Sequence, residues 1–278
     1  MTATTLPVVD ASPSDLGSRG SARRRVLALA SAEIRLLLRN RTAVVNSLLG
    51  PVLLLGSVGA IAVSNGLELD GPGLLASAIG ISLILVAYYN LVTTFVARRE
   101  EQVLQRMRTG ELTDGEILLG TAVPTLLVTV VQILAVGVGV VVLGRWSGPV
   151  DVVLPLLALL GGSALMVVLA AASTSFTRTV EAAQFTTLPL VLAATLFSGL
   201  LVPLSDFPEP VAEAFRFLPL TPVIELSRLG LVGETWSGHS VDTAGAWIAA
   251  PVPLAVLAGW LVVGAVVARR VFRWAPRR

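Results

Sequence analysis

The 278-residue chain has no cysteine, no lysine and a single histidine. Without cysteine there are no disulfides, no thiolate chemistry and no cysteine-based metal site, and redox usage gives no indication of compartment. Without lysine the phosphate-binding loop of a nucleotide hydrolase lacks the side chain that reaches the β and γ phosphates, so the chain is no standard ATPase by itself. One histidine and no cysteine also leave no ligand set for zinc proteolysis or paired-histidine heme, and no Cys or His nucleophile relay. That histidine, His239, reads as a solvated loop residue. No catalytic residue, metal ligand or cofactor of its own is therefore expected, and no nucleic-acid partner.

Charge is scarce as well: 14% of residues are charged and 54% are hydrophobic. The apolar residues come in runs, which is the pattern of a polytopic membrane protein. A span needs about 20 apolar residues to cross a hydrocarbon core about 30 Å thick. Six segments qualify: 44–63, 74–97, 117–143, 152–176, 185–204 and 246–268, none containing Asp, Glu, Lys, Arg or His. Ion-coupled carriers usually place an ionisable group at mid-membrane, so the driving force here is expected from a partner or a downhill gradient.

The basic residues set the orientation. With six spans both termini share a side, and that side holds 17 of the 20 arginines. The positive-inside bias puts both ends in the cytoplasm. Residues 1–20 are Thr, Ser, Pro, Gly and Ala with scattered charge, and they read as a disordered cytoplasmic tail with no apolar core of a signal peptide. Over 21–43, Val26, Ala30, Ile34, Leu37 and Leu38 share one helical face opposite Arg24, Ser31, Arg35 and Arg39, which predicts an interfacial helix against membrane lipids. Residues 269–278 form a basic cytoplasmic tail.

Two hydrophilic interruptions stand out. Residues 98–116 carry nine charges in nineteen residues, with Val103, Leu104 and Met107 at helical spacing; Thr113 to Glu116 spells a capping box before the third span. The long outer connection 205–245 is amphipathic and punctuated by proline. Pro208 and Pro210 open one short helix, and Thr221 as N-cap with Pro222 at the first helical position opens a second. Two such helices are expected to dip back into the outer leaflet or to cap a cavity between subunits. Inside the spans, Tyr88, Tyr89 and Asn90 form a small polar group that either lines a pathway for an amphipathic substrate or makes ordinary interhelical hydrogen bonds.

The stretch ARREEQVLQRMRTGELTDGEILLG, 97–120, and the stretch SGLLVPLSDFPEPVAEAFRFLPLTPVIELSRLGLVG, 198–233, together resemble type-2 ABC export permeases, most of all their drug-resistance and antibiotic-efflux branch. One departure is Gly110–Glu111, where relatives often carry a proline turn. The resemblance implies an all-α fold of six transmembrane helices with an N-terminal interfacial helix, a cytoplasmic coupling helix and short outer re-entrant helices between spans 5 and 6. It implies a bacterial cell-membrane permease that pairs with a second copy or a paralogue and with separate ABC ATPase subunits, where ATP and magnesium would bind. Glu100, Glu101, Leu104, Arg106, Met107 and Arg108 would then fit a groove on the ATPase, with Leu104 and Met107 as buried anchors. Gly199, Pro203, Pro219, Thr221, Pro222, Glu225 and Arg228 would form the outer re-entrant motif. The cargo implied is a drug, antibiotic or lipid-like amphiphile; export of envelope lipid or polysaccharide, and a non-transport assembly or sensing role, stay open.

Overall fold

The computed structural model describes residues 70–108, 113–146 and 148–272, together with positions 24, 27, 29–32, 34, 35, 39, 45 and 56, all of which are helical. The expected tail 1–20, most of the first expected span 44–63, the turn at 109–112 and residues 273–278 lie outside the described residues.

From residue 70 onward the described chain is helical apart from its connections, and its only extended pairing is an isolated bridge between Glu234 and Ser240. The helices are α1 (Gly71–Glu100), α2 (Val103–Arg108), α3 (Asp114–Val142), α4 (Val153–Ser173), α5 (Ala183–Phe197), α6 (Glu209–Phe215), α7 (Thr221–Leu231), α8 (Thr243–Ala249) and α9 (Pro251–Val271). Among them α1, α3, α4 and α9 are long and apolar enough to cross a membrane. These four candidate spans make the chain a multi-pass membrane protein.

Local sequence explains the ends. The Asp70 carboxylate accepts from Gly73 N at 2.8 Å and starts α1, with Pro72 in its first turn. The predicted capping box starts α3: Thr113 N donates to Glu116 Oε2 at 2.7 Å and Glu116 N to Thr113 Oγ1 at 3.4 Å. Inside α1, Ser82–Tyr88 widens into a π-helical stretch, for which the sequence carries no signal.

Two elements differ from expectation. The fifth expected span, 185–204, is a 15-residue helix followed by an irregular segment. Gly199 has φ +78°, a left-handed conformation that a side chain resists, so the helix cannot run on through it. Thr221 is not the N-cap of α7; Leu220 is. The Thr221 hydroxyl instead donates to Phe215 O at 2.7 Å, tying α7 back to the end of α6.

α7 is the centre of the packing. Ten of its eleven residues are buried, and it lies among α4, the first half of α1 and α9. A short helix that is nearly all buried must be enclosed by protein, and this one is. Its approach to α4 is set by Gly230: a Cβ there would sit 2.3 Å from Pro155 Cδ and 2.9 Å from Asp151 O. Asp151 N also donates to Gly230 O at 2.8 Å. Gly230→Ala therefore pushes α7 off α4, at a cost of about 2 kcal/mol. Thermal unfolding of the purified protein in detergent should fall by several degrees; an unchanged transition would mean that α7 is not held at this crossing.

Candidate functional site

The polar segment after α1 forms a sharp corner. α1 ends at Glu100, Glu101 follows with φ −73° and ψ −1°, and Gln102 takes φ +58°, a left-handed conformation rare for a residue with a side chain. α2 then leaves in a new direction and packs on α1 and α3. Glu100 and Glu101 are exposed, Val103 and Met107 half-buried, and Leu104 is completely buried within the subunit. This corrects the expected role of Leu104. A side chain with no accessible surface cannot be an anchor in a partner's groove; it holds the corner in place from inside. The side chains of Arg106 and Arg108 lie outside the described residues.

Behind the corner sits Arg99, only 1% exposed. Its Nη1 donates to Thr174 O at 2.7 Å, and its Nη2 to Thr177 O at 2.5 Å and Arg178 O at 3.3 Å. Arg99 thus joins the end of α1 to the turn between α4 and α5. Sequence reading gave it no role, since nothing distinguishes it from Arg98 beside it except the direction in which it leaves the helix.

The N-terminal helical positions approach the same end. Leu29 lies against Gly120 near the start of α3, where a Cβ would meet Leu29 Cδ2 at 2.5 Å. Ala30 is buried, whereas Arg24, Ser31, Arg35 and Arg39 are exposed. A groove of about 570 Å³ opens between the start of α3 and the ends of α4 and α9, lined by Leu118, Val167, Ala171, Ala265 and Phe272, with Asp114 and Arg269 among its polar residues.

Tyr88, Tyr89 and Asn90 do not act as one polar face. Successive helical residues point about 100° apart. Tyr88 is buried and shares a 2.8 Å hydrogen bond with Ser173 Oγ of α4, while Tyr89 and Asn90 are half-exposed. The packing reading holds for Tyr88: its hydroxyl is committed to an interhelical contact.

At the opposite end, Gly199, Pro203, Thr221, Glu225 and Arg228 surround one recess with Ser198, Leu204 and Trp236. Pro219 and Pro222 are buried beside it, in the lead-in and first turn of α7. Two ion pairs organise the recess. Arg216 Nη2 donates to Glu225 Oε1 at 2.9 Å, and Arg228 pairs with Glu234. The Arg216 guanidinium also stacks 4.6 Å from the centre of the Trp236 ring. Burial pushes the Glu225 carboxyl above the ordinary range, and the hydrogen bond and charge of Arg216 pull it back in part. A buried acid therefore does lie in the apolar body. The sequence assigned Glu225 to the expected re-entrant motif, and its burial comes from the packing of α7 among α4, α1 and α9. Arg216 was also missed: it lies nine residues from Glu225, and a hairpin of short helices brings the two together. His239 is exposed and bonded locally to Ser237 at 2.8 Å, as a loop residue.

No individually curated protein matches the sequence. The family model described as ABC-2 type transporter matches residues 24–232, about three quarters of the chain, and that stretch contains both the corner after α1 and the recess at the opposite end. ABC-2 permeases are membrane components that do not themselves catalyse ATP hydrolysis and that work with an ABC ATPase subunit. With its apolar helices, its corner and its enclosed short helix, the chain belongs to the ABC-2 type transporter family.

Proposed function

We propose that the chain is the permease subunit of an ATP-driven exporter. It has six spans with both ends in the cytoplasm, pairs with a second copy or a similar permease, and moves a hydrophobic or amphipathic compound outward. The observation that carries this reading is the corner itself. Glu100 and Glu101 stand exposed at the tip of a long helix, on a turn fixed from within by Leu104 and Arg99. An exposed charged tip on a rigid base is suited to a partner that must both bind it and push it. ATP-driven closure of two ATPase subunits would draw two such corners together, and the attached helices would rock between inward-open and outward-open arrangements.

The contacts implied for the partner now divide differently from the sequence expectation. Glu100 and Glu101 set encounter and register, Val103 and Met107 supply the apolar surface still half-exposed, and Arg106 and Arg108 would add positive charge to the same contact. The branch of drug and antibiotic efflux remains part of the proposal through the resemblance of the two motifs. Affinity purification of the tagged chain from native membranes tests the reading. It should bring down a nucleotide-binding subunit, and vesicles holding the pair should move a fluorescent lipophilic dye only when ATP is supplied. A chain that purifies without any ATPase would overturn it. Dye transport with no change in envelope composition on deletion would separate drug efflux from lipid or polysaccharide export.

A further inference from the structure

Arg99 is more elaborately held than a static helix contact requires. The last carbonyls of α4 are already satisfied by their own neighbours: Thr174 Oγ1 donates to Ala171 O at 2.6 Å, Ser175 Oγ to Ala172 O at 2.7 Å and Thr177 Oγ1 to Ser173 O at 3.0 Å. The turn after α4 is therefore built without help from α1. Arg99 reaches past these caps to the next carbonyls, at Thr174, Thr177 and Arg178, across 75 to 79 residues of sequence. Its planar fork fixes direction as well as distance, which a single-point donor does not. Burying a guanidinium is a costly way to join two helices when apolar packing would serve. The fork does, however, make a joint that resists rotation.

The joint continues into α5. The Thr177 hydroxyl shares its one proton between Ser173 O and Thr186 Oγ1, the latter 2.9 Å away in the first turns of α5. Among the described helices α5 packs mainly on α1. Its outer end stops at Gly199, which lines the outer recess.

We infer that Arg99 is a positioning residue that makes the cytoplasmic corner and the α4–α5 turn move as one piece, so that displacement of the corner reaches α5 through the carbonyls of Thr174, Thr177 and Arg178. The inference rests on the reading of the corner as the ATPase contact. It assigns the stroke to a side-chain joint between α1 and the α4–α5 turn, in addition to the covalent run from α2 into α3.

The chain has no native cysteine, so spin labels at Gln102→Cys and Thr179→Cys report only this joint; both positions are exposed. The full chain is purified with the ATPase it retains, placed in lipid nanodiscs, and measured before and after trapping with ATP and vanadate. In the wild-type background the distance between labels is the same in both states. In Arg99→Gln it matches wild type before trapping, then lengthens by several ångströms and broadens, and ATP hydrolysis of the complex falls about tenfold. A purely structural role would shift the distance before nucleotide is added. If the Gln variant does not accumulate, Arg99→Lys keeps the charge but loses the fork, and it should show the same divergence at smaller amplitude. A wild-type distance that itself changes on trapping overturns the inference, as does a variant whose distance stays fixed. Wild-type protein that retains no ATPase defeats the functional reading, and the inference with it. That failure appears before any variant is made.

Discussion

An Arg216→Met variant should lose about 3 kcal/mol of stability, and the loss should grow as pH rises. Arg216 and Glu225 are a nearly enclosed pair, their side chains 18% and 4% exposed. Removing one member of such a pair strands the other charge, which costs far more than an exposed ion pair contributes. The pH dependence follows from Glu225. Its folded-state carboxyl already titrates above the ordinary range because of burial, and Arg216 is the group that restrains the shift. Without Arg216 the shift increases. The folded state then holds a proton that the unfolded state has released, and stability falls with pH from the ordinary glutamate range up to the raised value. At acid pH, where Glu225 is protonated in both states, the variant should approach wild type. Arg216→Met/Glu225→Gln should recover most of the loss and abolish the added slope, since no uncompensated charge remains. Thermal unfolding of the detergent-solubilised protein between pH 4 and 9 measures all three, about the range over which a shifted carboxyl titrates. A double variant as unstable as the single one would show that the pair is not the source of the effect.

Leu104→Glu should have an effect at least as large. Leu104 has no accessible surface and lies where α2 meets α1 and α3. Leu104→Ala alone should cost about 3 kcal/mol through lost burial and the cavity left behind. A carboxylate in the same place adds desolvation without a partner. Leu104→Glu is therefore expected to prevent accumulation of folded protein. Met107→Glu, at a half-buried position, should accumulate normally and weaken association with the ATPase. Size-exclusion profiles of the two variants distinguish the positions. A well-folded Leu104→Glu protein would mean that Leu104 faces outward.

The contrast between Leu104 and Met107 shows where sequence reasoning reached and where it stopped. Hydropathy runs located α1, α3, α4 and α9 because each long apolar stretch has one physical solution in a bilayer. The capping box at Thr113 predicted the start of α3 because cap chemistry is local. Helical spacing put Leu104 and Met107 on an apolar face, but spacing does not say whether that face meets the subunit's own helices or a partner's. Only the direction of α2 decides it, and that direction depends on Gln102 taking a left-handed conformation no pattern announces. The outer helices were legible as helices from Pro208, Pro210 and Pro222. The burial of α7 on every side was only half legible: its apolar residues required cover, but the sequence did not name α1, α4 and α9 as the cover. Arg99 and Arg216 were invisible for a related reason, because their partners are backbone carbonyls and a carboxylate brought close by tertiary packing. Tyr88 was visible as polar, yet which neighbour it serves came only from its contact with Ser173.

The most direct test of the account is cross-linking from the corner. In a chain without cysteine, Glu101→Cys and Ser237→Cys each carry one reactive thiol, at opposite ends of the helices. A photoactivatable thiol reagent applied to native membranes should join the ATPase to the Glu101→Cys protein, more strongly when ATP is trapped with vanadate, and should give no such product from Ser237→Cys. Cross-linking of the ATPase from position 237, or its absence from position 101 in membranes where the two proteins still purify together, would contradict the assignment of the corner as the point where ATP hydrolysis meets the permease.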